Sequence, residues 1–271
     1  MAALAQAQAQ ISSGKRFERM SEDPLAGTQV LTADRGLRAI EQYRRNSSSA
    51  RARTDAEESV LSQMTDLISR AKELALQEGS AGGSSQTRAA AKSEVDRIID
   101  QVIALGNTQV GSEYLFAGNQ TTTKPFDAAG LYYGDNGIRQ TEVGQNYLLT
   151  TNHTGQELLV SSGVLSSLQS LSTALNGGVP GTIASTAFLL DGAFDATQTM
   201  LATNGARVRQ IESAMQNTDA LETSFTLKKS DAQEIDLEAV TTRFVGAQNT
   251  LQAALLSTSK ILNTSLTDYL R

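Results

Sequence analysis

Apolar positions along the chain fall into long stretches of helical period on either side of a glycine-rich middle, and the last stretch is the most regular. Leu237, Val240, Phe244, Ala247, Leu251, Leu255, Leu262, Leu266 and Tyr269 stand three, four or seven residues apart. They therefore line one stripe of a helix about 50 Å long at ~1.5 Å per residue. A helix of that length cannot bury its own stripe. The pattern predicts a coiled-coil core helix over 233–271 that docks on the rest of the chain, on other copies, or on both, with these residues as the assembly interface.

The other stretches divide in the same way. Val60, Leu61, Met64, Leu67, Ile68, Ala71, Leu74 and Ala75 mark one face of a helix over about 25–78, and Val95, Ile98, Ile99, Val102 and Leu105 mark a second over 86–108. The Gly- and Ser-rich run 79–85 between them predicts an antiparallel hairpin. At the amino end, 1–10 is an Ala/Gln helix composition that looks cut short at its start. An irregular linker over 11–23 follows, and Ser21-Glu22-Asp23-Pro24 restarts the helix.

The middle changes period. Tyr132-Tyr133 and 138–143 flank Gly134-Asp135-Asn136-Gly137, whose Asn-Gly pair suits the positive φ values of a tight hairpin; 147–151 and 158–161 add further strands. A short helix over 164–175 and a turn over 177–181 lead into a long return helix from 182 to about 229, carrying Val208, Ile211, Met215, Leu221 and Phe225. Ser230 to Gln233 has capping-box spacing ahead of the terminal stripe. The expected fold is mainly α: an elongated rod of long antiparallel helices with a small inserted β-rich outer domain. Its parts are an amino-terminal core segment and linker at 1–34, the first half of the helical rod at 35–117, the β insertion at 118–163, the return helices at 164–232 and the core helix at 233–271.

Composition narrows the function. Of 271 residues 39% are hydrophobic and 5% aromatic, with no Trp, which suits long helices with small contact residues better than an aromatic-lined catalytic pocket. The three Pro lie outside the periodic stretches and Cys is absent, which removes disulfide and thiolate chemistry. A net charge of -6 argues against nucleic-acid binding. A local basic run, Arg35, Arg38, Arg44, Arg45, Arg51 and Arg53, reads as a solvated or protein-docking face before a phosphate-binding one. No run is apolar enough to insert in a membrane, and no signal peptide is visible at the amino end.

Candidate chemistry is sparse. Gly14-Lys15 lacks both the earlier Gly and the following Ser or Thr of a phosphate loop, and Asp135-Asn136-Gly137 lacks the acidic partners of a calcium loop. His153 is the single histidine, so a His metal cluster is excluded and no metal or cofactor is expected. The neighbours Glu57 and Glu58 point to different sides of a helix and read as solvated charges. The Asn-x-Ser/Thr triplets at Asn46, Asn119, Asn152 and Asn263 read as chance.

Several strings taken together resemble the flagellin family, and within it the branch that joins hook to filament. They are 8–16 (QAQISSGKR) with Glu22-Asp23-Pro24; Lys72-Glu73-Leu74-Ala75; Tyr114-Leu115-Phe116-Ala117-Gly118 followed by Lys124-Pro125-Phe126; Tyr133-Gly134-Asp135; Asn204-Gly205-Ala206-Arg207; and the final helix. The resemblance implies a structural subunit with no active site, exported unfolded through the flagellar export channel and polymerised through its terminal helices in the extracellular flagellum. Implied partners are the first hook-associated protein, flagellin, other copies in a ring, and an export chaperone on the carboxyl-terminal helix. It also implies a further helix ahead of the present amino end. The alternatives are a short filament-forming flagellin and a helical adaptor.

Overall fold

A computed structural model describes residues 2–80 and 83–269, with side chains through residue 260. The helices are α1 (Ala2–Ser13), α2 (Pro24–Gly79), α3 (Ser85–Gly106), α4 (Val164–Gly177), α5 (Pro180–Gln233) and α6 (Leu237–Tyr269). Between α3 and α4 lie two antiparallel strand pairs, β1 (Gln109–Val110) with β2 (Glu113–Tyr114) and β3 (Gln140–Gly144) with β4 (Tyr147–Thr150), then a π-helical turn over Gln156–Ser161. The chain forms two compact units. One comprises residues through Glu41 and from Asp219 onward; the other is Gln42–Thr218.

In the larger unit the apolar stripes meet. Leu61, Met64, Ile68 and Ala71 of α2, Val95 and Val102 of α3, Leu168 and Leu171 of α4, and Ile183 and Leu190 of α5 are all fully buried in one cluster. Each Leu, Ile, Val or Met among them contributes about 2 kcal/mol relative to exposure. The α2–α3 hairpin is antiparallel, with Arg70 Nε 2.7 Å from Glu94, and α5 runs antiparallel to α2, Lys72 pairing with Asp191 and Arg51 with Glu212. The helix starts follow local rules. Ser84 caps α3 by accepting the Thr87 N–H at 3.1 Å, and Asp23 caps α2 by accepting the Ala26 N–H at 3.0 Å ahead of Pro24 in the first turn.

The segment after α3 is held by aromatic burial. Leu115, Phe116 and Ala117 are buried and Gly118 turns away with φ +68°. Asn107 grips the backbone of buried Phe126 from both sides, donating to its carbonyl at 3.0 Å and accepting its N–H at 2.9 Å. The Phe126 and Tyr132 ring centroids are 5.2 Å apart, and the Tyr132 hydroxyl donates to Asp135 O at 2.7 Å.

Three local expectations are corrected. The hairpin lies at β3–β4 rather than at Asn136-Gly137, and its positive φ is Asn146 at 57°, beside a bulge at Val143. Neither Asn136 nor Gly137 has positive φ, because Asp135 Oδ1 accepts the N–H groups of Gly137 (2.9 Å) and Asn119 (2.6 Å) and pins the pair against the 116–119 segment. Residues 158–161 are π-helical rather than a strand. A capping box starts the turn, Thr154 Oγ1 accepting the Glu157 N–H while Glu157 Oε2 accepts the Thr154 N–H. Finally, α5 continues through Gln233, so Ser230 caps nothing there. Asp236 caps α6 instead, its Oδ1 accepting the Glu238 and Ala239 N–H groups, both at 3.1 Å.

Two glycines separate overpacking from helix propensity. A Cβ on Gly155 would stand 2.4 Å from the Tyr132 ring and 2.8 Å from Phe126, whereas one on Gly192, inside α5, would meet nothing within 4 Å. Gly155→Ala is expected to cost about 2 kcal/mol, and Gly192→Ala to gain up to about 1 kcal/mol. Urea-unfolding midpoints of the two variants should move in opposite directions.

Candidate assembly interface

The smaller unit places the terminal stripe. After α1, Gly14 adopts φ +70° and the chain makes a short antiparallel bridge to the α5–α6 junction. Arg16 N–H donates to Gln233 O at 2.7 Å, and Ile235 N–H donates to Gly14 O at 3.2 Å. That bridge fixes α1 antiparallel along α6, and the two helices pack together. Val240 is buried and Phe244, Ala247 and Leu251 are half-buried; on α1, Ala7 is buried and Leu4 and Ile11 are half-buried. A 12-residue helix spans about 18 Å, which matches the length of α6 from Val240 to Leu251. Beyond that reach Leu255 is 63% exposed and Leu256 69%, and at the other end Leu237 is 59% exposed. The side chains of Leu262, Leu266 and Tyr269 lie outside the described ones.

Nearby, Phe17, Ala26, Val30 and Ala232 form a small core. Gly36 admits the Phe225 ring, which a Cβ would meet at 2.7 Å, and Lys229 pairs with Asp34 at 2.7 Å. Arg16 pairs with Asp23 at 2.7 Å. The Ala26 N–H, with Arg16 adding to it, holds the Asp23 carboxyl below the usual range.

The larger unit contains a buried polar cluster that periodicity alone does not announce. Glu57 is fully buried, its Oε1 paired with His153 Nδ1 and 3.9 Å from Arg207 Nη1, which also lies 3.1 Å from His153 Nδ1. The solvated reading of Glu57 is therefore wrong, and His153 is one of its buried partners. The available signal was position: Arg53 and Glu57 share the α2 face that continues through Val60, Leu61 and Met64. Arg53 is buried too, 3.0 Å from Glu113, which also accepts from Arg139 at 2.8 Å. Burial lowers the Arg53 pKa, and Arg139 adds to it. Asn204 reaches across from α5 to Thr54 O at 2.8 Å.

The arginines of the Arg35–Arg53 run have different local settings. Arg53 is buried on Glu113, Arg51 pairs with Asp55 and Glu212, and Arg35 and Arg38 belong to the other unit. Among the described residues no group of three or more acidic, His or Cys side chains is arranged to hold a metal, and no helix is long and apolar enough to cross a membrane. His153 bonds to no hydroxyl nucleophile among the described residues.

This architecture matches known proteins. Residues 1–121 match the family described as the bacterial flagellin N-terminal helical region. Among curated proteins it is similar to the flagellar hook-associated protein 3 of Salmonella typhimurium, 33% identical over 154 residues, and to that of Escherichia coli, 32% identical. Each alignment covers 56% of this chain and 49% of the relative, so the chain spans about half the length of the curated relatives it matches. Solved structures share the fold. One is a putative flagellar hook-associated protein from Vibrio parahaemolyticus, with a TM-score of 0.72 at 18% identity, covering 79% of this chain and all of that one. Another is Xanthomonas campestris FlgL, with a TM-score of 0.66 at 19% identity, covering 73% and 99%.

The buried cluster can be probed at two carboxylates. Glu57→Ala leaves His153 and Arg207 facing each other without their anion and should lower stability by about 3 kcal/mol, read from denaturant unfolding. Part of the acid dependence should trace to Glu113, whose carboxyl is held below its ordinary range by Arg139 and then Arg53. A carboxyl depressed in the folded state stabilises above its unfolded pKa and loses that contribution as pH falls through the folded value. Melting temperature should thus drop below about pH 4, less steeply in Glu113→Gln.

Proposed function

We propose that the chain is a structural subunit of the bacterial flagellum, without catalytic activity, in the junction layer between the hook, ending in the first hook-associated protein, and the flagellin filament. The observation that carries this reading is the uncovered continuation of the α6 stripe. Leu255 and Leu256 are exposed on α6, and an apolar helix face of that kind favours burial under a partner helix. The relatives named as hook-associated proteins supply the setting. Secretion through the export channel, association of copies in a ring, and capture of α6 by an export chaperone belong to the same proposal.

Substitutions separate assembly from folding. Leu255→Asp introduces a charge where the chain's own fold leaves the side chain exposed, so helix content and melting temperature should stay unchanged. Addition of the purified protein to isolated hooks bearing the first hook-associated protein should be lost, because a carboxylate buried in an apolar seam costs roughly 3 kcal/mol or more. Phe244→Asp should impair both folding and addition, since Phe244 is half-buried along α1. Normal addition by Leu255→Asp, followed by normal retention of flagellin, would remove the stripe from the interface.

A further inference from the structure

We infer that Asn136-Gly137 is a self-modifying site, at which the main chain converts an asparagine to aspartate and isoaspartate while the protein is folded. This inference is independent of the flagellar reading. The chain holds three Asn-Gly pairs, at Asn136, Asn176 and Asn204, and the fold treats them differently. Ring closure requires the glycine nitrogen to reach the asparagine Cγ, which glycine permits because no side chain shields its nitrogen. It also requires an asparagine ψ far from the helical value of about −42°. Asn204 is inside α5, fully buried, with its Nδ2 donating to Thr54 O. Asn176 is exposed but sits in the last turn of α4. Both backbones are held helical and away from the reactive geometry.

Asn136 stands apart from both. It is exposed and lies outside any helix or strand, and among the described residues no hydrogen bond holds its side-chain amide. A Cβ at Gly137 would stand 2.2 Å from Asn119 Nδ2, so a larger residue there must displace the Asn119 side chain. The Gly137 N–H, whose proton must leave, donates to Asp135 Oδ1 at 2.9 Å, so a carboxylate already stands on the path of that proton. In the step itself the Gly137 nitrogen forms a bond to Asn136 Cγ, its proton is lost, and the side-chain nitrogen leaves as ammonia, giving a five-membered succinimide. Water then opens either carbonyl of the ring. One opening leaves an ordinary aspartate in place of the asparagine; the other leaves isoaspartate, with one more methylene in the main chain.

The product is not silent in the fold. Asn136 lines a small cleft with Arg207, Asn152 and Glu157, so the reaction adds a negative charge to its wall. Isoaspartate also lengthens the main chain next to Gly137, whose carbonyl accepts from Asn152 Nδ2 at 3.0 Å. The test is to age the purified chain in mildly alkaline buffer, native in one arm and in concentrated urea in the other. Each asparagine is then followed by peptide-mapping mass spectrometry and by labelling with an isoaspartate methyltransferase. The native chain should accumulate product at 136 while 176 and 204 stay intact, the urea arm should react at all three, and Asn136→Gln should lose the native signal. An intact Asn136 in the native chain over the time in which the urea arm reacts would overturn the inference. So would native reaction at 176 or 204 that keeps pace with 136.

Discussion

Every part of this molecule depends on helices that cannot stand alone. A 56-residue helix such as α2, with mean composition too polar to bury wholesale, gains little from propensity beyond the cost of nucleation. Its order comes from one apolar stripe covered by α3, α4 and α5 in the larger unit. The same constraint governs the smaller unit at reduced scale, where α6 has 33 residues and α1 offers cover for about a third of them. Further along α6, Leu255 and Leu256 face outward.

Set within the α2 stripe is a polar interruption. Arg53 and Glu57 occupy positions that the period assigns to Leu-like residues, and each is matched from elsewhere: Arg53 by Glu113, Glu57 by His153 and Arg207. Replacing such a group by a hydrophobe can be neutral or stabilising, so ion pairs buried here are poor evidence of added stability. What they do supply is discrimination. Apolar stripes can slide by a turn at modest cost, but a slipped register would bury Glu57 without His153, and Asn204 without the Thr54 carbonyl. The segment 107–155 is tied to the helices through these pairs and through the Asn107 clamp on Phe126.

How much of this was legible in the sequence varied with the range of the interaction involved. The long helices and their boundaries came within a few residues from periodicity, Pro24, Ser84 and the glycine-rich breaks, because those signals are local. The face of α6 from Val240 to Leu251 was equally plain. The strands were not. Asn136-Gly137 carries the strongest short-range hairpin signal in the chain, yet Asp135 satisfies Gly137 and Asn119 at once and the hairpin forms further on, at Asn146. Residues 158–161 look like a strand by composition, but the Thr154/Glu157 capping box starts a helical turn. His153 and Glu57 are 96 residues apart, and a pairing at that distance leaves no trace in either neighbourhood.

The bridge between Lys15 and Glu234 joins segments that a ribosome makes far apart in time. The surface on which α1 packs is α6, a long way further along the sequence. Synthesis delivers α1 well before α6. Its residues must then wait, unsupported, until α6 has been made, so a segment that appears early is among the latest to fold, and any factor that occupies α6 in the interval also holds α1 open.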